Sequence, residues 1–178
     1  MKKTFALAAA LIGLNLAAGF AGGKEPMTMY KGSKEFEQVK ALEGHWEGTT
    51  TEMAPDPSKP MKVTVDYKTT SAGSAVVETL FAGTPHEMVT IYSDEGGKLA
   101  VTHYCSMHNQ PHMTLQSSTD SKISLAIPKA DTSMDNEVCH MHALTLDVSK
   151  PNQLTQTWVS YDGKKPKAPS VFVFTKKS

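Results

Sequence analysis

The sequence predicts an all-β protein: an antiparallel up-and-down barrel of about ten strands, with one short N-terminal helix after a signal peptide. Three observations carry this reading. From His45 onward, short segments alternate apolar with polar residues. Turn-forming clusters separate most of them, among them Pro55-Asp56-Pro57, Ala72-Gly73-Ser74, Asp94-Glu95-Gly96-Gly97, Lys150-Pro151-Asn152 and Asp162-Gly163. No helical period interrupts the series, and a meander of that length closes to remove its edges.

In chain order, Met1-Lys2-Lys3 forms a short positive segment, followed by an Ala- and Leu-rich stretch from Thr4 to Gly19. This is the pattern of a secretory signal peptide. Gly13 and Asn15 interrupt it, and it stops short of the roughly 20 apolar residues that a membrane span needs. Cleavage is expected after Ala21, with Gly23 as second choice, which gives residues 1–21 as signal peptide, 22–32 as a flexible leader and 33–178 as a single barrel domain. No Cys follows the apolar stretch, so no lipid anchor is expected, and no membrane anchor after cleavage. The expected location is the periplasm of a bacterial-type cell, or the medium.

From Ser33 to Gly44, Phe36, Val39 and Leu42 recur every third residue and Gly44 supplies a stop, which predicts one amphipathic helix whose apolar stripe plugs an end of the barrel. The candidate strands are 45–53, 61–70, 75–82, 87–93, 98–106, 112–118, 122–127, 137–147, 153–161 and 170–175.

Charge excludes one class of partner. Removing Lys2 and Lys3 from 18 basic and 18 acidic residues leaves a net charge of −2, and every basic residue other than His is Lys. Arg is the side chain that grips phosphates and guanine edges in a fork, so no nucleic-acid partner is expected. A small apolar or amphipathic molecule in the barrel interior is the expected partner, since barrels of this size can enclose one.

Alternation along strands sorts the candidate site residues. Leu99, Val101, His103 and Cys105 share one face, as do Val138, His140, His142, Leu144 and Leu146. The branched apolar members mark both faces as inward, which turns three histidines and one thiol toward one space and leaves Cys139 outside unless a bulge intervenes. That parity argues against a Cys105–Cys139 disulfide, although an exported pair would ordinarily form one. Glu78 shares a face with Val76 and Leu80. If that face is inward, its buried carboxylate needs a partner, with His103 or His86 the natural choice.

Two stretches carry a resemblance. Leu42-Glu43-Gly44-His45-Trp46, a helix ending in Gly-x-Trp at the first strand, resembles the start of lipocalin-like (calycin-type) barrels, in which the Trp closes the base. His86-Glu87-Met88, Thr102-His103-Tyr104-Cys105 and Asn109-Gln110-Pro111 resemble segments of a group of bacterial secreted lipocalin-like proteins, although this chain carries His112 where that group has Arg. The resemblance implies fold and location and carries no activity.

The candidate ligand-binding residues are therefore Glu78, His86, His103, Tyr104, Asn109 and Gln110, forming a polar cluster at the barrel mouth. Three further readings stand beside that one. Inward histidines serve as satisfied core residues. Alternatively His86, His103, Cys105, His140 and His142 supply imidazole and thiolate ligands for zinc or copper, toward which Met88, Met107, Met113 and Met141 tilt the choice to copper. Finally, Glu78 and a histidine could serve a hydrolase or isomerase, although no nucleophile motif or paired-carboxylate signature is present, and the sequence assigns no catalytic residue.

Overall fold

The computed structural model of the chain describes residues 28–52, 56 and 58–177. The expected signal peptide and the first part of the leader lie outside them. Among the described residues the strands are β1 (Gly44–Thr50), β2 (Met61–Thr70), β3 (Ala75–Leu80), β4 (Met88–Glu95), β5 (Lys98–Tyr104) and β6 (His112–Ser118), then β7 (Lys122–Ala126), β8 (His140–Asp147), β9 (Gln153–Asp162), β10 (Lys165–Pro166) and β11 (Ser170–Lys176). Every pairing is antiparallel, and strands β1 to β9 pair in sequence. Strand β11 lies between β9 and β1 and closes the ring. The two-residue β10 extends the edge of β9, so the closed barrel has ten strands.

The predicted strands therefore reappear nearly residue for residue, because period-two alternation and Gly- or Asn-containing turns are local signals that the closed sheet reinforces. The exceptions are at strand ends. Strand β3 stops at Leu80 because Phe81 takes φ +59°, a left-handed conformation outside the strand region. Strand β8 begins at His140, and Val138, expected inside, is 76% exposed.

Helix α1 (Lys34–Lys40) starts where Ser33 Oγ accepts the Phe36 amide hydrogen at 3.2 Å, the usual way to satisfy a free helical N–H. The Ser33 amide and hydroxyl both donate to Asp94, at 2.6 and 2.7 Å, which fastens the helix to the end of β4. Phe36, Val39 and Leu42 are buried as the periodicity predicts. The Trp46 indole donates to the Leu42 carbonyl at 2.8 Å, tying the end of the helical segment to β1. This end is the barrel base; the loops joining β3 to β4, β5 to β6 and β7 to β8 open at the other end, the mouth.

One close backbone approach sets the spacing of β1 and β11. Gly48 pairs with Phe174, and a Cβ there would run into the Val173 carbonyl oxygen. Gly48→Ala is expected to destabilise the fold by about 2 kcal/mol, the range of overpacking in a rigid wall. Urea unfolding of the two proteins checks this, with the midpoint falling and the slope unchanged.

Candidate functional site

The inward faces build the barrel interior in layers. Near the base the filling is apolar, with Phe36, Trp46, Leu99, Leu146 and Leu154 all buried. Above it lies a polar layer centred on Glu78, which is 0% exposed. Tyr92 Oη donates to Glu78 Oε2 at 2.6 Å, and Gln156 Nε2 donates to the same oxygen at 3.1 Å. The Tyr67 hydroxyl also bonds this carboxylate, and Thr90 Oγ1 reaches Oε1 at 3.5 Å. Burial pushes the Glu78 pKa up, while the hydrogen bonds from Tyr92, Tyr67, Thr90 and Gln156 pull it back. Burial also raises both tyrosines well above the ordinary phenol value, so they remain protonated donors.

His103 is the next member of the layer. Its Nδ1 lies 2.9 Å from Thr90 Oγ1, its ring centroid is 4.7 Å from that of Trp158, and its Nε2 is buried without a hydrogen-bond partner among the described residues. Desolvation pulls its pKa down to about 4, so the imidazole is neutral at physiological pH. Glu78 and His103, expected as partners, are therefore not paired directly; Thr90 Oγ1 stands between them.

A cavity of about 160 Å³ opens above this layer, at the mouth. Leu80, Phe81, Trp158 and Phe172 form its apolar walls, and His103, Met88 and Met141 complete it. Glu52 and Ser170 stand at its rim, where Glu52 accepts the Val171 amide hydrogen at 3.0 Å. The left-handed turn at Phe81 allows consecutive residues, Leu80 and Phe81, to line the same space, and the Phe81 ring meets Phe172 edge-on at 5.4 Å. Glu78 does not line the cavity. It sits behind Thr90 and Gln156, which counts against a reading in which its carboxylate acts on a bound molecule.

The other expected site residues are elsewhere. His86 is exposed in the turn before β4 and borders a separate groove with Met61 and Thr84. Tyr104 is 46% exposed, on the face of β5 opposite His103. Gln110 is exposed, with only a long 3.5 Å contact to the His108 carbonyl. Asn109 is buried, but its amide donates to the Cys139 carbonyl at 2.7 Å and so braces the wall between two loops.

His140 and His142 correct the expected parity. The register between β8 and β9 shifts between Met141 and Ala143, so His142 is an extra residue in the strand, as in a β-bulge. Below the bulge Leu144 and Leu146 point inward as expected. Above it the faces exchange: Met141 pairs with inward-facing Ser160 and lines the cavity, while His140 pairs with outward-facing Tyr161. His142 stacks on the Tyr161 ring at 3.8 Å, and His140 Nε2 lies 3.2 Å from His142 Nδ1. The two histidines therefore form a pair on the outward side of β8, on the face opposite to that of His103, with His140 itself buried. Burial lowers both pKa values, so the pair is neutral.

Both cysteines are free thiols. Cys105 is buried, with Sγ 4.0 Å from Met88 Sδ, and burial pushes its thiol pKa up. Among the described residues no three His, Cys, Asp or Glu side chains come together in a way that could hold a metal ion. The five-residue ligand set read from the sequence is therefore not assembled.

Sequence reasoning missed the bonding partners of Glu78 and the aromatic walls. Gln156 carried a signal, since it falls between Leu154 and Trp158 on an inward face. Trp158 forms a cavity wall, and Tyr92 donates to Glu78.

In comparisons with known proteins, no family model and no curated protein matches this chain.

The neutral state of His103 makes stability depend on pH. Its folded pKa of about 4 lies below the ordinary 6.5, so the contribution is complete above pH 6.5 and is lost as pH falls toward 4. Glu78, with a raised pKa, contributes in the opposite sense on acidification. His103→Gln isolates the histidine: between pH 7 and 4 the unmodified protein is expected to lose about 3 kcal/mol more unfolding free energy than the variant, as read by urea unfolding at both pH values.

Proposed function

We propose that this chain is an exported, lipocalin-like binding protein that holds one small, mostly apolar molecule at the barrel mouth, with His103 as its polar anchor. The observation that carries this reading is a fully buried imidazole, His103, that is one of the residues lining an apolar cavity and whose Nε2 lacks a partner among the described residues. An orphaned buried polar atom costs on the order of 1–3 kcal/mol, and a bound molecule that bonds to it recovers that cost. The surroundings support the same reading: few polar groups among aromatic walls is the usual make-up of a small-molecule site. The cavity, at about 160 Å³, is close in size to engineered apolar cavities of about 150 Å³ that take up benzene.

Benzene and toluene are therefore expected to bind with roughly millimolar affinity, shifting methyl resonances of Leu80, Met88 and Met141 in NMR titrations. Met141→Trp, which fills the cavity from a half-buried position, should abolish those shifts while leaving the barrel's circular dichroism intact. Unmoved resonances at saturating ligand would remove the reading.

A second reading has its own observation. Met88, Met141 and His103 border one cavity, and the Cys105 thiol touches Met88. Thioether, imidazole and thiol together suit Cu⁺ better than zinc. Elemental analysis of untagged protein from the periplasm should then find one copper per chain, lost in His103→Gln. Metal-free protein that also fails to retain added Cu⁺ through dialysis would dismiss this alternative.

A further inference from the structure

Resting on the cavity reading above, we infer that the cavity is built for a neutral single-ring molecule that donates a hydroxyl hydrogen to His103 Nε2: a phenol.

The inference follows from the direction in which hydrogen bonds run through the buried layer. An indole N–H only donates. Trp158 Nε1 lies 3.0 Å from Gln156 Oε1, so that oxygen accepts, which turns Gln156 Nε2 toward Tyr67 Oη at 2.6 Å and Glu78 Oε2 at 3.1 Å. Tyr67, accepting from Gln156, has its own proton free for Glu78, and Tyr92 delivers another at 2.6 Å. Glu78 is thus an acceptor toward β2, β4 and β9. The same role at Oε1 directs the Thr90 hydrogen to Glu78 and leaves a Thr90 lone pair facing His103 Nδ1 at 2.9 Å. His103 then carries its hydrogen on Nδ1 and a bare lone pair on Nε2, the atom without a partner.

A lone pair at the cavity floor requires a donor from the occupant. A carboxylate offers no hydrogen at neutral pH, meets no cation on the walls and passes the Glu52 carboxyl at the rim. An ammonium beside His103 would lose its hydration among apolar walls, a large cost, while the Glu52 carboxyl stands at the exposed rim. A neutral hydroxyl meets neither objection. Trp158, Phe81 and Phe172 offer flat apolar surfaces to a ring, and about 160 Å³ holds a single one.

The experiment is calorimetric or NMR titration of the full chain with phenol, anisole, benzene and benzoate, joined to ¹⁵N NMR of the His103 side chain. Phenol is expected to bind about tenfold more tightly than anisole or benzene, the worth of one hydrogen bond to a buried acceptor, and benzoate not to bind. His103→Phe should reduce the phenol-to-anisole ratio to about one. Thr90→Val, which removes the group orienting the imidazole, should narrow it and keeps the test open if the first variant does not fold. The Nε2 nitrogen should show the shift of an unprotonated imidazole nitrogen. Equal binding of phenol and anisole, or a protonated Nε2, overturns the inference while leaving the cavity reading in place. Failure of phenol, anisole and benzene alike removes the cavity reading and the inference with it.

Discussion

The Glu78 carboxylate is the constraint on which the rest of the barrel depends. Burying an isolated charge of this kind costs tens of kcal/mol in a low-dielectric medium, and several even after relaxation, so its position is tenable only if every neighbour supplies a donor. Those donors form a rung: Tyr67, Glu78, Thr90 and His103 are Cα partners across β2, β3, β4 and β5. A slip of one residue in any of these strands would turn a donor to solvent and leave the carboxyl group unmet. The rung therefore adds a polar constraint on register to that of the apolar layers, which the same slip would turn to solvent. From the far side of the barrel, Gln156 on β9 reaches across the interior to the same carboxylate.

Much of this was legible in the sequence, and the parts that were not share a physical cause. Alternation is a local rule, and it located ten strands, the inward setting of His103 and the face that Glu78 shares with Val76 and Leu80. It fails wherever the chain leaves the two-residue period. At His142 one inserted residue exchanges the faces of β8, which expels His140 from the interior and brings in Met141. At Phe81 a left-handed backbone places two consecutive side chains on the same wall. Neither site carries a Gly, the residue that would have announced an irregular backbone.

The candidate site shows the same division. His103 follows from parity alone, because β5 is regular up to Tyr104. His86, Tyr104 and Gln110 were grouped with it by proximity in sequence to conspicuous segments, and those three side chains lie in turns or on the outer face. Asn109 is close to the mouth, where its amide nitrogen donates to the Cys139 carbonyl and braces the wall, while its Oδ1 is buried without a partner among the described residues. The thioethers, the aromatic walls and one imidazole are what the fold actually gathers. This set is poorer in charge than the sequence suggested, and correspondingly better suited to an uncharged occupant.

An apolar filling would hold such a barrel at least as well as a buried polar layer, since replacing buried ionic groups by packed hydrophobic ones is often neutral or stabilising. What the layer adds is direction. The Trp158 indole fixes the Gln156 amide, the amide and two phenols fix Glu78 as an acceptor, and Glu78 through Thr90 sets which nitrogen of His103 carries the hydrogen. Each of these groups except Nε2 spends its bonding capacity on the next one. A network that ends in a single unmet acceptor at the floor of an apolar cavity, with the opposite end of the barrel sealed by α1 and Trp46, has one outlet for its polarity, and that outlet faces the mouth.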